Sequence, residues 1–157
     1  MQLPHRFGLT YVDKDGKLKE PVMLHRAIFG SFERFLGIIT ENFKGAFPTW
    51  LHPEQVRIIP VNNDEKVVKL AADLNKKLLK HDVRSKIDDR NEKLSYKIHD
   101  SQVMKVPYTI VLGPKEAEEG NITYRLYHET ASKTVTEKEF IKIIDTDIKT
   151  RAPYRHY

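Results

Sequence analysis

An α/β fold, with a mostly parallel mixed sheet flanked by helices, is predicted for residues 53–150 of this 157-residue chain. Three observations predict it. Residues 56–61 and 108–112 are short β-branched, apolar runs, as expected of strands covered on both faces. Between and after them lie segments whose apolar residues recur at helical spacing. The two patterns alternate, which a parallel sheet requires because its connections must cross from one end to the other.

The elements follow in order. Residues 6–12 and 21–25 read as two strands around the turn-rich Asp13-Lys14-Asp15-Gly16. Ser31 suits the N-cap of a helix reaching about Phe43, since its hydroxyl can accept a first-turn N–H. Phe32, Phe35, Leu36, Ile39 and Phe43 form one apolar face of that helix, a face that belongs to a core. Gly45 and Pro48 break the pattern, and Trp50-Leu51-His52-Pro53 reads as a domain junction. Two strands and a helix cannot close a core. Residues 1–52 therefore read as the tail end of a larger domain, with apolar surface left uncovered.

From Val56 the chain alternates. Asn63 or Asp64 caps a helix carrying Val67, Ala71, Leu74 and Leu78 on one stripe, ended by His81-Asp82. Residues 83–87 read as a strand. A helix beginning near Glu92, with Asn91 at its cap, carries Leu94 and Ile98 and ends before Pro107. The strand at 108–112 stops at Gly113-Pro114, and residues 122–127 alternate as a half-exposed strand. Thr136 and Glu139 form a capping box that opens a last helix, with Phe140, Ile143, Ile144 and Ile148 inward. Residues 151–157 read as a frayed tail. There is no internal repeat and no low-complexity segment.

Hydrophobic residues at 39% and charged residues at 31% describe a soluble globular protein rather than a disordered one. No apolar run approaches the length that spans a bilayer. The opening MQLPHRFGLT lacks the basic start and apolar centre of a signal peptide, so the cytoplasm is the expected location. No cysteine is present, so no disulfide supports the fold. With 27 basic and 22 acidic residues, a net charge of +5 permits a polyanionic partner without demanding one.

Gly30, Ser31 and Arg34 stand out. Arg34 falls in the first helical turn, where the dipole disfavours a cation. A local rule broken with no local gain often marks a functional site. Glycine beside the cap lets a ligand approach the backbone, and a guanidinium can lie flat on an aromatic base. Taken alone, the group also fits a capped helix with one solvated arginine.

In context the stretch resembles the third signature motif of class II aminoacyl-tRNA synthetases, in the version found in threonyl-tRNA synthetases. The resemblance rests on His25-Arg26, Gly30-Ser31 with Glu33-Arg34, and the following Gly45-Ala46-Phe47-Pro48-Thr49-Trp50-Leu51. Residues 53–150 resemble the anticodon-binding domain that follows the motif, through Arg90-Asn91-Glu92-Lys93, Val106-Pro107-Tyr108 and Gly113-Pro114-Lys115-Glu116. Residues 1–52 would then be a remnant of the antiparallel catalytic domain.

The resemblance carries expectations. Arg34 would stack on the adenine of ATP, with Gly30 and Ser31 in the same ATP-binding group, and its role is counted as catalytic. His25 matches a zinc ligand whose partners, a cysteine and a histidine, lie upstream in the family, so neither ATP nor zinc is expected on this chain alone. Asn91, Glu116 and Arg125 match anticodon-contacting positions, with Arg90 and Lys93 beside them. RNA readers need this mixture of amide, carboxylate and cation for base edges and phosphates. Lys105 stands where bacterial relatives commonly have arginine, which leaves phosphate attraction without a bidentate or stacking contact. Tyr108 reads as core rather than as a stacking platform. The whole enzyme would be a homodimeric threonine–tRNA ligase using threonine, ATP and threonine tRNA. This chain would keep the grip on the anticodon arm and lack catalysis. A freestanding RNA-binding paralogue is the alternative, and the joint presence of His25, Gly30, Ser31 and Arg34 argues against it.

Overall fold

The computed structural model describes residues 3–127 and 129–151. Residues 152–157, in the expected tail, lie outside the described residues. The chain divides into two compact units, residues 1–38 and residues 39–157.

The first unit contains a one-turn helix α1 (Leu3–Arg6) and a two-residue antiparallel ladder of β1 (Tyr11–Val12) and β2 (Leu18–Lys19). The strands expected at 6–12 and 21–25 are therefore corrected. The turn closes early, with Asp13 N–H donating to Lys17 O at 2.9 Å and Gly16 in the left-handed region at φ 74°. Pairing consequently begins at Leu18. The segment at 21–25 has no strand beside it among the described residues, and a strand is defined by its partner.

Helix α2 (Phe32–Asn42) runs across the boundary of the two units. Ser31 caps it as expected, its Oγ accepting the Arg34 N–H at 3.3 Å. Its apolar face is present but uncovered: Phe32 is 72% exposed and Leu36 42%, and the helix buries no residue. Phe35 stacks on Phe29, with ring centroids 4.7 Å apart.

The second unit holds β3 (Val56–Pro60), α3 (Glu65–Lys80), β4 (Ser85–Ile87), α4 (Leu94–Val103), β5 (Tyr108–Leu112), α5 (Pro114–Glu119), β6 (Asn121–Leu126), β7 (Lys133–Thr136) and α6 (Glu137–Lys149). The sheet order is β4-β3-β5-β6-β7. β4, β3 and β5 are parallel, while β6 and β7 add antiparallel to β5 and to each other. α5 and β7 are additions to the expected order. No described helix is long and apolar enough to cross a membrane.

Register sorts the strand residues by face. Val56, Tyr108 and Leu126 lie side by side, as do Ile58, Ile110 and Tyr124. On them pack Val67, Ala71, Leu74 and Leu78 of α3, and Phe140 and Ile144 of α6, all buried as expected. Asp64 caps α3, accepting the Lys66 N–H at 2.9 Å, and Thr136 with Glu139 forms the capping box of α6. Tyr108, Tyr124 and Phe140 meet in a trio with centroids 5.2–5.7 Å apart. Tyr108 belongs to the core.

The opposite face is covered in part by α4, whose inward side mixes polar and apolar residues. Lys97 and Ser101 are its buried residues, whereas Leu94 and Ile98 are only half-buried. Asn91 is not its cap, which corrects the expectation. Glu92 N–H donates to Arg90 O at 2.9 Å, so the chain is still in a turn there, and the helix starts three residues later with Lys93 at the N-cap position.

The junction before β3 is pinned through its carbonyls. Gln55, fully buried, donates from Nε2 to Thr49 O at 2.9 Å and accepts the Arg84 N–H at 2.8 Å. The Arg84 guanidinium donates to Trp50 O and His52 O. His52 is buried, its Nδ1 accepts the Glu54 N–H at 3.1 Å, and burial holds its imidazole below the ordinary histidine value.

Two outcomes follow. Phe140→Ala removes the ring shared by both tyrosines and is expected to cost about 3–5 kcal/mol in denaturant unfolding, whereas Phe32→Ala changes the second unit's transition by less than about 0.5 kcal/mol. For His52, the folded value lies below the unfolded one, so the stability it contributes is complete above about pH 6.5 and is lost as pH falls below it. Melts between pH 7.5 and 5.5 should therefore show the parent losing more stability than His52→Gln.

Candidate nucleic-acid interface

The second face of the sheet carries the polar residues. Lys86, Arg57, Thr109 and Arg125 lie in one row across β4, β3, β5 and β6. Register partners put their side chains on the same face. Thr109 is buried beneath α4, hydroxyl to hydroxyl with Ser101 at 2.6 Å. Arg125, one strand further, is half-buried, and its Nη2 reaches Ser132 Oγ at 3.5 Å. The face thus opens to solvent towards β6 and β7, where Arg125 lines a cleft with Gln102, Val111, Thr123 and Ser132.

Glu116 stands at the rim of this face and serves its own helix. Its Oε2 accepts the Gly113 N–H at 2.9 Å, closing the N-terminus of α5, and its Oε1 accepts the Thr123 hydroxyl at 2.9 Å. Burial pushes its carboxyl up, but its own backbone N–H, Thr123, Gly113 and nearby Lys115 together outweigh burial and hold it below the usual range. Each oxygen keeps a further lone pair for a ligand.

Arg90 is the most constrained of the expected RNA-facing residues. Its Nη2 lies 2.6 Å from Asp88 Oδ2 and 2.8 Å from Asp100 Oδ2, and its Nε donates to Asp88 Oδ1 at 2.8 Å. Asp100 also accepts from Arg57 at 2.9 Å, and Arg57 is clasped by Glu54 through two bonds of 2.6 and 2.9 Å. The buried ammonium of Lys97 donates to Asp88 O at 3.0 Å. A groove of ≈ 350 Å³ opens among Arg57, Lys86, Asp88, Arg90 and Asp100. The hydrogen bond from Arg90 is the chief reason the Asp88 carboxyl sits below its ordinary value, and Arg90 is raised in turn, chiefly by Asp88.

The remaining residues divide. Asn91 and Lys93 are exposed on the loop entering α4, next to Arg90. Lys105 stands apart: left-handed at φ 57°, it sends its ammonium to Lys44 O at the junction. A Cβ on neighbouring Gly45 would come within 3.4 Å of that ammonium. In the first unit, Gly30 is left-handed at φ 73° with open space about it, and the Arg34 side chain makes no hydrogen bond or ion pair among the described residues. His25 is exposed, and the residues present do not make a zinc site, for the described residues hold no group of three His, Cys, Asp or Glu that could hold a metal ion. Sequence reasoning missed Arg57, Asp88, Asp100 and Tyr96. No local pattern could have joined Arg57 to Asp100, which lie 43 residues apart.

The second unit thus joins one helix-covered sheet face to a polar face that opens beyond α4, the arrangement expected from the resemblance to an anticodon-binding domain. Comparison with known proteins agrees. Residues 55–147 match the family described as "Anticodon binding domain", and residues 1–43 match the "tRNA synthetase class II core domain (G, H, P, S and T)". The chain is similar to the threonine–tRNA ligases of Caldanaerobacter subterraneus, 46% identical over 96% of the chain, and Lactobacillus acidophilus, 50% identical over 94%. It spans 23% of the length of each of these relatives. It also resembles the solved RNA-binding domain of threonyl-tRNA synthetase from Cryptosporidium parvum, with a TM-score of 0.70 at 31% identity, covering 93% of this chain and 36% of that one. The chain belongs to the anticodon-binding-domain family in its threonyl-tRNA synthetase form, joined to a segment of the class II core.

The charge network makes an acid-sensitivity prediction. The Asp88 carboxyl is depressed on folding, so its contribution is complete above about pH 5 and is lost as pH falls through and below the unfolded value near 3.9. Unfolding curves at pH 7 and pH 3 should show the parent exceeding Asp88→Asn in stability at pH 7, with the gap narrowing at pH 3. A gap of constant size would mean that Asp88 contributes through shape alone.

Proposed function

We propose that this chain is the part of a threonine–tRNA ligase that grips the anticodon arm of threonine tRNA, and that Arg34 supplies the adenine-stacking cation of the ATP site in the longer enzyme. The reading rests above all on one observation. The helix-free part of the sheet face presents Arg125 and the open lone pairs of Glu116, within a domain of the anticodon-binding family. Single-stranded loops are read by such groups, through splayed bases whose edges meet amides, carboxylates and guanidinium. Asn91 offers an amide edge, Arg125 a guanidinium and Lys93 an attraction to phosphate.

Arg34 fits its role because its side chain is solvent-facing and unpaired among the described residues, beside a glycine that leaves space at the cap. A planar cation over a purine combines dispersion with cation–π attraction. The aminoacylation activity of the relatives belongs, in this reading, to the longer polypeptide, and the chain alone lacks threonine-dependent pyrophosphate exchange. The enzyme would act in the cytoplasm.

Binding of a labelled anticodon-arm hairpin, measured by anisotropy against a hairpin with a scrambled loop, tests the reading. Asn91→Ala and Arg125→Ala should each lose preference for the matching loop by about 1–3 kcal/mol, the scale of a base-edge contact. Lys93→Ala should weaken both hairpins equally and reduce the salt dependence. Because Asn91 caps no helix, its variant should melt with the parent. Equal affinity of the parent for both loops would sink the proposal.

A further inference from the structure

Helix α4 buries two polar residues and leaves a large aromatic one exposed. Lys97 and Ser101 are buried, whereas Tyr96 is 52% exposed, Val103 60% and the following Met104 57%. A charged residue inside and a large apolar residue outside are the two observations that call for a cause. The inward side has one: Lys97 holds Asp88 O, Ser101 holds Thr109, and Asp100 ties Arg57 to Arg90.

Tyr96 is not a stray ring. Arg90 passes over it, with Cζ 5.9 Å from the ring centroid. That guanidinium is itself held by Asp88 and Asp100. Asn91 and Lys93 stand on the same short stretch of chain, and Tyr96 N–H donates to Lys93 O at 2.9 Å in the first helical turn. Asp89 and Glu92 are exposed in the same stretch and balance its charge, which favours a neutral flat surface over a phosphate as the thing bound.

We infer that Tyr96, with Arg90 beside it, is a stacking platform for one unpaired nucleobase of the bound RNA loop. A half-exposed ring flanked by a held guanidinium offers a base both dispersion and a cation–π edge, and stacking of this kind is indifferent to base identity. Asn91 can then meet the edge of a neighbouring base while Lys93 meets the backbone. The division of labour is concrete: Tyr96 supplies affinity, and Asn91 and Arg125 supply choice. The inference rests on the anticodon-arm reading and adds a residue to it.

The test uses the whole chain with an anticodon-arm hairpin carrying 2-aminopurine at successive loop positions. Tyr96→Leu keeps apolar bulk and removes the ring, and it should lower affinity for matching and scrambled loops alike, by about 5- to 150-fold, the range that ~1–3 kcal/mol of stacking corresponds to. Tyr96→Phe should bind within about twofold of the parent. At one loop position, 2-aminopurine fluorescence should fall on binding to the parent and the Phe variant, and should fail to fall with the Leu variant. Because Tyr96 is half exposed, both variants should melt with the parent. Binding by the Leu variant within twofold of the parent overturns the platform while leaving the anticodon reading intact, and an equal loss in the Phe variant overturns it in favour of the hydroxyl. A parent that binds no hairpin overturns both readings.

Discussion

The packing of α3 and α6 against one face of the sheet is the constraint from which the rest of the second unit follows. Those two helices contribute narrow apolar stripes, Val67 to Leu78 and Phe140 to Ile144, onto strand residues that are almost entirely buried. With one face so thoroughly consumed, stability does not need the other face to be apolar. That release is what permits Arg57, Thr109, Thr123 and Arg125 to occupy strand positions that a fully sandwiched parallel sheet would fill with Val or Ile. The antiparallel β6 and β7 extend the sheet beyond the reach of α4, so the polar row passes from buried to open along its length.

The cost of a polar face is met by charge neutralisation. Arg57 is nearly buried, and an unpaired guanidinium there would be expensive. Glu54 and Asp100 satisfy it, Asp100 is shared with Arg90, and Arg90 is bound in turn to Asp88. Such networks contribute less to net stability than their bond count suggests, because desolvation offsets much of the attraction. What they fix is geometry. Lys97, Asp100 and Ser101 add directional bonds to the half-buried Leu94 and Ile98 in docking α4. Lys105 works in the same way on the junction: a residue held left-handed places its ammonium on a backbone carbonyl.

Most of this fold was legible in the sequence, and the reasons are specific. α3 and α6 were readable in place and in buried stripe because stripe and cap agree with one another, with the α3 cap left between Asn63 and Asp64. β3 and β5 were readable as apolar runs, and Tyr108 as core for the same reason. α4 was misplaced at its start alone: Leu94 and Ile98 share its inward face with Lys97 and Ser101, but Asn91 lies in the turn before it and Lys93 holds the N-cap position. β7 is short, polar and half exposed, so neither alternation nor composition distinguished it from a loop. In the first unit the strand expected at 21–25 failed because a strand is a property of two segments, and the sequence of one segment cannot supply the other. The interface residues on loops and strand ends were reached through resemblance, whereas the ionic scaffold behind them needed coordinates. Its members are far apart in sequence, as Arg57 and Asp100 are.

Arg34 shows the same logic from the opposite direction. Its place in the first turn of α2 is unfavourable to a cation, yet Glu33 precedes it, and an acidic neighbour at a helix start offsets part of that penalty. The cap is satisfied by Ser31 through the N–H of Arg34 itself, so the backbone of the residue is fixed while its side chain is left without a bond. Arg90 has the contrary arrangement, its side chain held by two carboxylates. A cation that is anchored only through its backbone can follow a small planar ligand as it arrives, whereas one clamped by carboxylates presents an unchanging surface to a flexible loop. The two arginines thus differ in restraint: Arg34 is anchored through its backbone, whereas Arg90 is clamped through its side chain by Asp88 and Asp100.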